Sequence, residues 1–175
     1  MSAVTVRTWV ENADFRSAVE AWIDVPRENA FDYVADMTRH SEWAVHEIEV
    51  KALEPGTTHI GSHFSSRGRQ GNRWWPSDLE VVAYEPPYRF AFTATGGPLG
   101  TEEGRLHRHE FLFVPEGDGT RFTLNRTDPI LARGLRFRLI RLANPLLNRF
   151  VRGIRGRTVE NLKRRLEELP KGTGD

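Results

Sequence analysis

The chain has 175 residues, 38% hydrophobic and 28% charged, with a net charge of +1 and no cysteine. That is enough chain for one sizeable core, in the composition range of folded globular proteins. The missing cysteine excludes disulfides, thiolate nucleophiles and thiolate metal ligands, which suits a reducing compartment. The N-terminus lacks a basic start followed by an apolar run, and nothing approaches the roughly 18 apolar residues of a membrane span. A cytoplasmic location is therefore expected.

Residues 1–16 are mixed in character and read as an N-terminal extension, although Val4, Val6 and Val10 could form a short strand. A single domain is expected over 17–169, and 170–175 as a frayed tail. Val19, Ala21, Ile23 and Val25 alternate with Glu20, Trp22 and Asp24, a period-two strand that stops at Pro26. Pro26 opens a helix with Ala30, Phe31, Val34 and Met37 on one side, and a second helical turn over 38–43 has Thr38 as its N-cap.

Six strands follow, over 45–53, 60–67, 74–84, 88–95, 106–114 and 120–127, separated by Pro- and Gly-rich turns. The last pair is joined through Glu116-Gly117-Asp118-Gly119, a hairpin signal. One strand, two helices and six strands in succession imply an antiparallel α+β domain rather than a parallel βαβ sheet.

A helix is expected near 130–143. After the break at Asn144-Pro145 a longer one runs from 145 to about 168, with Leu147, Val151, Ile154, Thr158, Leu162, Leu166 and Leu169 in one stripe. Gly153 and Gly156 inside it either let the sheet or a ligand approach closely or are merely tolerated. Residues 131–168 hold eleven Lys/Arg against three acids, while residues 1–130 hold thirteen against twenty. The basic segment 131–157 is read first as a solvated helix face turned toward the acidic body. Peripheral contact with a membrane surface or an anionic partner is the alternative. No nucleic-acid recognition motif is present.

Alternation also sorts the strand faces. Phe111 and Phe113 carry His107 and His109 inward; Ile48 and Val50 carry His46; Phe64 carries Ser62 and Ser66. Leu79 and Val81 carry Trp75 and Ser77, Phe90 and Phe92 carry Tyr88, and Phe122 and Leu124 carry Arg126. An inward guanidinium needs a carboxylate or a ligand anion as partner. With Trp43 from the helical turn and Phe150 and Ile154 from the long helix, this wall is aromatic with a few polar groups, as small-molecule pockets are.

His107 and His109 could act as general acid or base, with Arg126 polarising a carbonyl. As a metal site the pair, with His46 as a third ligand, gains no support from an inward acid or cysteine, and neither a metal nor a cofactor is assigned. No Gly-x-Ser-x-Gly elbow or phosphate-binding glycine loop occurs.

The run Ala21-Trp22-Ile23-Asp24-Val25-Pro26-Arg27-Glu28-Asn29-Ala30-Phe31-Asp32-Tyr33-Val34-Ala35-Asp36, with Trp43 after it, resembles the opening of the START-related superfamily. That superfamily includes polyketide cyclases, aromatases, ubiquinone-binding proteins and Bet v 1-like proteins. The segments 55–61, 81–89 and 119–123 agree in order. The resemblance implies a helix-grip fold, in which a seven-stranded curved antiparallel sheet wraps around the C-terminal helix and leaves an apolar cavity. It also implies a hydrophobic small molecule as partner: a lipid, an isoprenoid or a polyketide-like ring system. A noncatalytic binder is the first expectation and a cyclase or aromatase the second; an interaction module acting through the basic helices is the third. Both monomer and homodimer suit the sequence.

Overall fold

The computed structural model describes residues 3–12, 14–96, 106–129 and 144–169, apart from the side chains of residues 70, 144–148 and 150. The helix expected near 130–143 and the tail 170–175 lie outside the described residues. In chain order the elements are β1 (Thr5–Glu11), β2 (Asp14–Ile23), α1 (Arg27–Ala35), a 3-10 turn (Met37–Glu42), β3 (Ile48–Ala52), β4 (His63–Gln70), β5 (Arg73–Glu85), β6 (Arg89–Ala94), β7 (His107–Glu116), β8 (Gly119–Pro129) and α2 (Asn144–Glu168).

All eight strands form one curved antiparallel sheet in the order β1-β2-β8-β7-β6-β5-β4-β3. The α+β helix-grip architecture is as expected, with one strand more than the seven anticipated. The extra strand is β1, from the segment read as an extension. Val6, Thr8 and Val10 are its partly buried side, and Val6 pairs with Val19 while Val10 pairs with Phe15. An edge strand needs only one largely apolar row, and Val6 and Val10 with Thr8 between them supply it.

Pro26 stands at the N-cap of α1. The helix buries Ala30, Phe31, Tyr33, Val34 and Ala35. Its last carbonyls, which lack partners within the helix, are met from outside: Asp36 N–H donates to Asp32 at 3.2 Å, the His40 ring to Val34 at 2.8 Å and Thr58 Oγ1 to Ala35 at 3.2 Å. The 3-10 turn is capped by Asp36 rather than Thr38. Its carboxylate accepts from Thr38 N–H at 3.1 Å and from the Thr38 hydroxyl at 2.6 Å, so that hydroxyl is itself held as a donor to Asp36.

α2 packs on β2 and β1. Val159, Leu162 and Leu166 are fully buried in the common core, and Gly156 lies against Val6. Polar contacts pin its C-terminal half to β2. Lys163 Nζ donates to the Trp22 carbonyl at 2.8 Å, and Glu167 accepts the Asp24 amide at 2.9 Å. No helix among the described residues is long and apolar enough to cross a membrane.

Candidate functional site

The inward face of the sheet has two unlike halves. Toward α1 it is dry and interdigitated: Phe90, Phe111, Phe113 and Phe122 are at most 1% exposed and meet Phe31, Tyr84 and Trp43 in edge and tilted ring contacts. Leu79, Val81, Leu124 and Phe64 close the same cluster. These positions, expected to line a ligand cavity, are core filled by α1 and by the C-terminal half of α2. Alternation along a strand reports which side a residue faces; whether a helix covers it depends on tertiary packing.

The other half, at the start of β7 and the end of β8, is polar. Arg108 pairs with Thr127 and His109 with Arg126 in the β7–β8 ladder, so His107 faces Asp128 at the next position. His107 Nδ1 donates to Asp128 Oδ1 at 2.8 Å, and Arg126 Nε donates to the same oxygen at 2.8 Å. From α2, Arg155 Nη2 donates to Asp128 Oδ2 while its Nη1 donates to Ser17 of β2. The Arg155 guanidinium also lies over the Phe15 ring, 5.2 Å from its centroid. His109 stacks flat on Phe92, with centroids 4.6 Å apart and planes inclined by 14°.

Charge in this cluster is set by burial and by the two guanidinium groups. Burial alone would raise the Asp128 carboxyl, but Arg126, the His107 hydrogen bond and Arg155 more than offset that and hold it far below the usual carboxylate range. Burial, reinforced by Arg126, lowers Arg155 to about 10 despite Asp128. His109 is pushed well below the ordinary imidazole value, first by burial and then by Arg126, and is neutral at pH 7. Its neutral ring supplies one donor and one acceptor beside a fixed positive charge.

The structure thus brings His107, His109 and Arg126 together as the strand faces predict. It adds Asp128, Arg155 and Ser17, which sequence reasoning missed. Asp128 is two residues beyond Arg126 on the same face, but the expected strand ended at 127; the observed one runs to Pro129, so an inward acid is present after all. Arg155 stands four residues before Val159 and seven before Leu162, on the buried stripe itself, although its basic segment reads as a solvated face. Two guanidinium groups occupy the Asp128 oxygens, which disfavours a cation there. Among the described residues, no group of three or more His, Cys, Asp or Glu could hold a metal ion.

The remaining candidates are spread around this cluster. His46 is largely exposed just before β3 with its ring against Gly68, and partial desolvation of that ring and then the Arg126 charge lower its pKa. Trp75 is half-buried on β5. Trp43 is 5% exposed, and its buried indole Nε1 has no hydrogen-bond partner among the described residues. Ile154 is half-buried on α2; the Phe150 side chain lies outside the described residues. Tyr88 is a correction: it is 57% exposed, in the turn before β6, with Arg27 over its ring at 4.4 Å. The inward tyrosine is Tyr84, because the register shifts between Val81 and Ala83 and turns Tyr84 onto Phe31 and Phe90.

A family model described as "Polyketide cyclase / dehydrase and lipid transport" matches residues 14–167. The chain belongs to this family. Solved structures give the same fold at low identity. A protein from Arthrobacter aurescens is 13% identical with a TM-score of 0.65, each chain covered over 98% of its length. Protein Ms6760 from Mycobacterium smegmatis is 13% identical at a TM-score of 0.61, with 98% of this chain and 99% of that one covered. Ara h 8.0201 is 13% identical at a TM-score of 0.61, with 93% and 98% covered. No curated protein matches the sequence. Family and fold support hydrophobic ligand binding or polyketide cyclase-type function in general.

Proposed function

We propose that this protein binds a hydrophobic small molecule, a lipid, an isoprenoid or a polyketide-like ring system, between sheet and α2, with the ligand's oxygen-bearing end at the Arg126–Asp128–Arg155 cluster. The supporting observation is the contrast along the inward face. One half is sealed by interlocked phenylalanines, whereas the other gathers His107, His109, Arg126 and Arg155 beside Phe92, with 34% of the Arg126 side chain exposed. An apolar wall with a few convergent polar groups fixes a ligand's orientation through those groups and draws affinity from the wall. The test is native mass spectrometry of the protein as purified, followed by extraction and identification of any bound compound. A copurified apolar molecule supports the reading; an empty protein that binds no member of a panel of lipids, quinones and aromatic polyketides overturns it.

The His107–Asp128 pair favours a second reading, an enzyme of cyclase or aromatase type. A carboxylate accepting from Nδ1 orients the imidazole and leaves Nε2 as the ring nitrogen turned to proton transfer. His107 would then take a proton from the carbon next to a ligand carbonyl, and the charge moving onto that carbonyl oxygen would be met by Arg126. His107→Ala should abolish turnover of an enolisable polyketide while leaving its binding intact; a wild-type protein that binds such a compound without converting it overturns this second reading.

A further inference from the structure

We infer that the ligand end received by the polar cluster is anionic: a carboxylate, or an acidic enol or phenol that ionises beside the Arg126 guanidinium. The inference rests on the cavity-binding reading and specifies its ligand class.

The argument is a charge balance at fixed positions. Within the cluster, two guanidinium groups, Arg126 and Arg155, share one described carboxylate, Asp128. Both of its oxygens are engaged, Oδ1 by Arg126 and His107 and Oδ2 by Arg155. The remaining Arg155 contact is a neutral hydroxyl, Ser17. His109, the register neighbour of Arg126, is neutral, so it adds no charge of either sign. Counting its guanidinium groups and its carboxylate, the cluster therefore carries at least one positive charge in excess among the described residues.

The two arginines are not equivalent. Arg155 is 11% exposed and held on three sides by Asp128, Ser17 and Phe15. Arg126 is 34% exposed and touches Asp128 through Nε, which leaves its terminal nitrogens without a described partner. A guanidinium presents paired donors that match a carboxylate in two parallel hydrogen bonds, and such charge-assisted pairs strengthen when an apolar ligand body excludes water from them. Arg126 is thus the anion's main contact, and Arg155 and Asp128 are positioning residues that hold the site's charge and shape.

The test compares matched acids and amides by titration calorimetry on the purified protein: dodecanoate with dodecanamide, and 2-naphthoate with 2-naphthamide. The wild type is expected to bind each acid about tenfold or more tightly than its amide. In Arg126→Met that preference should fall below about threefold while the amide still binds. Equal affinity for acid and amide in the wild type overturns the anionic assignment and leaves cavity binding standing. A preference that persists in Arg126→Met overturns the assignment to Arg126. If neither acid nor amide binds, the cavity reading falls and this inference falls with it.

Discussion

Asp128 accepts the Nδ1–H of His107 at 2.8 Å across the β7–β8 ladder while lying between two guanidinium groups. The carboxylate is therefore the hinge of the cluster: it orients one imidazole and separates two positive charges. Removing one member of a buried ion group leaves an uncompensated charge, and here Asp128→Asn would leave two. With the partial exposure of the site, we expect a loss of about 2–4 kcal/mol in urea unfolding. Arg155→Met in the same chain should recover part of that loss, since the charge left without a partner is then removed. A double variant as unstable as the sum of the singles would show that the pair is not coupled.

Stability should fall on mild acidification, and the sign follows from the imidazoles. His40 is 5% exposed, and burial lowers it from 6.5 to about 4, despite its hydrogen bond to the Val34 carbonyl. His109 is lowered as well. The unfolded chain takes up these protons near pH 6.5 while the native state does not, so stability is fully present above that pH. It is lost progressively as pH falls toward about 4. The share of His40 is on the order of 3 kcal/mol. Thermal or urea unfolding between pH 7.5 and 4.5 should show this slope, and His40→Gln, which keeps a donor for Val34, should flatten it. An unchanged slope in that variant would place the titration elsewhere.

Much of the fold is legible in the sequence because strands and turns are local: Pro26, Asn144-Pro145 and the glycine-rich turns mark boundaries, and period-two alternation sorts the faces. That alternation places His107, His109 and Arg126 on the inward face. Two properties escaped because they are not local. Whether an inward phenylalanine lines a cavity or fills a core depends on what α1 brings over it, as Phe31 does against Phe113. Arg155 escaped because a charged residue in a basic helix looks solvated until its partner, 27 residues away in the chain, is known.

That distinction is measurable at two aromatics that alternation alone puts on the same wall. Phe111 is 1% exposed and touches the rings of Phe90, Phe92, Phe122, Trp43 and His40. Phe111→Ala should cost about 3–5 kcal/mol through lost burial and the cavity left behind. Tyr88 is 57% exposed and contributes chiefly the contact with Arg27, so Tyr88→Ala should cost about 1 kcal/mol or less. Comparable losses at the two positions would contradict the assignment of Phe111 to the core.

The glycines of α2 separate helix propensity from packing. Around Gly153 a Cβ would meet nothing within 4 Å, and around Gly156 it would lie 3.4 Å from Val6 Cγ2. Neither glycine has the positive φ that would make an alanine strained. Alanine in a helix interior is favoured over glycine by about 1 kcal/mol, largely because the unfolded glycine has more freedom to lose. Gly153→Ala should therefore stabilise the protein by about 0.5–1 kcal/mol. Gly156→Ala gains the same propensity but presses on β1 at the tight end of ordinary contact, so its net gain should be smaller. Chemical unfolding of the two variants side by side decides the matter: equal gains would mean that β1 yields freely to α2, and a loss at Gly156 alone would mean that the close approach of Val6 helps to hold the edge strand on the sheet.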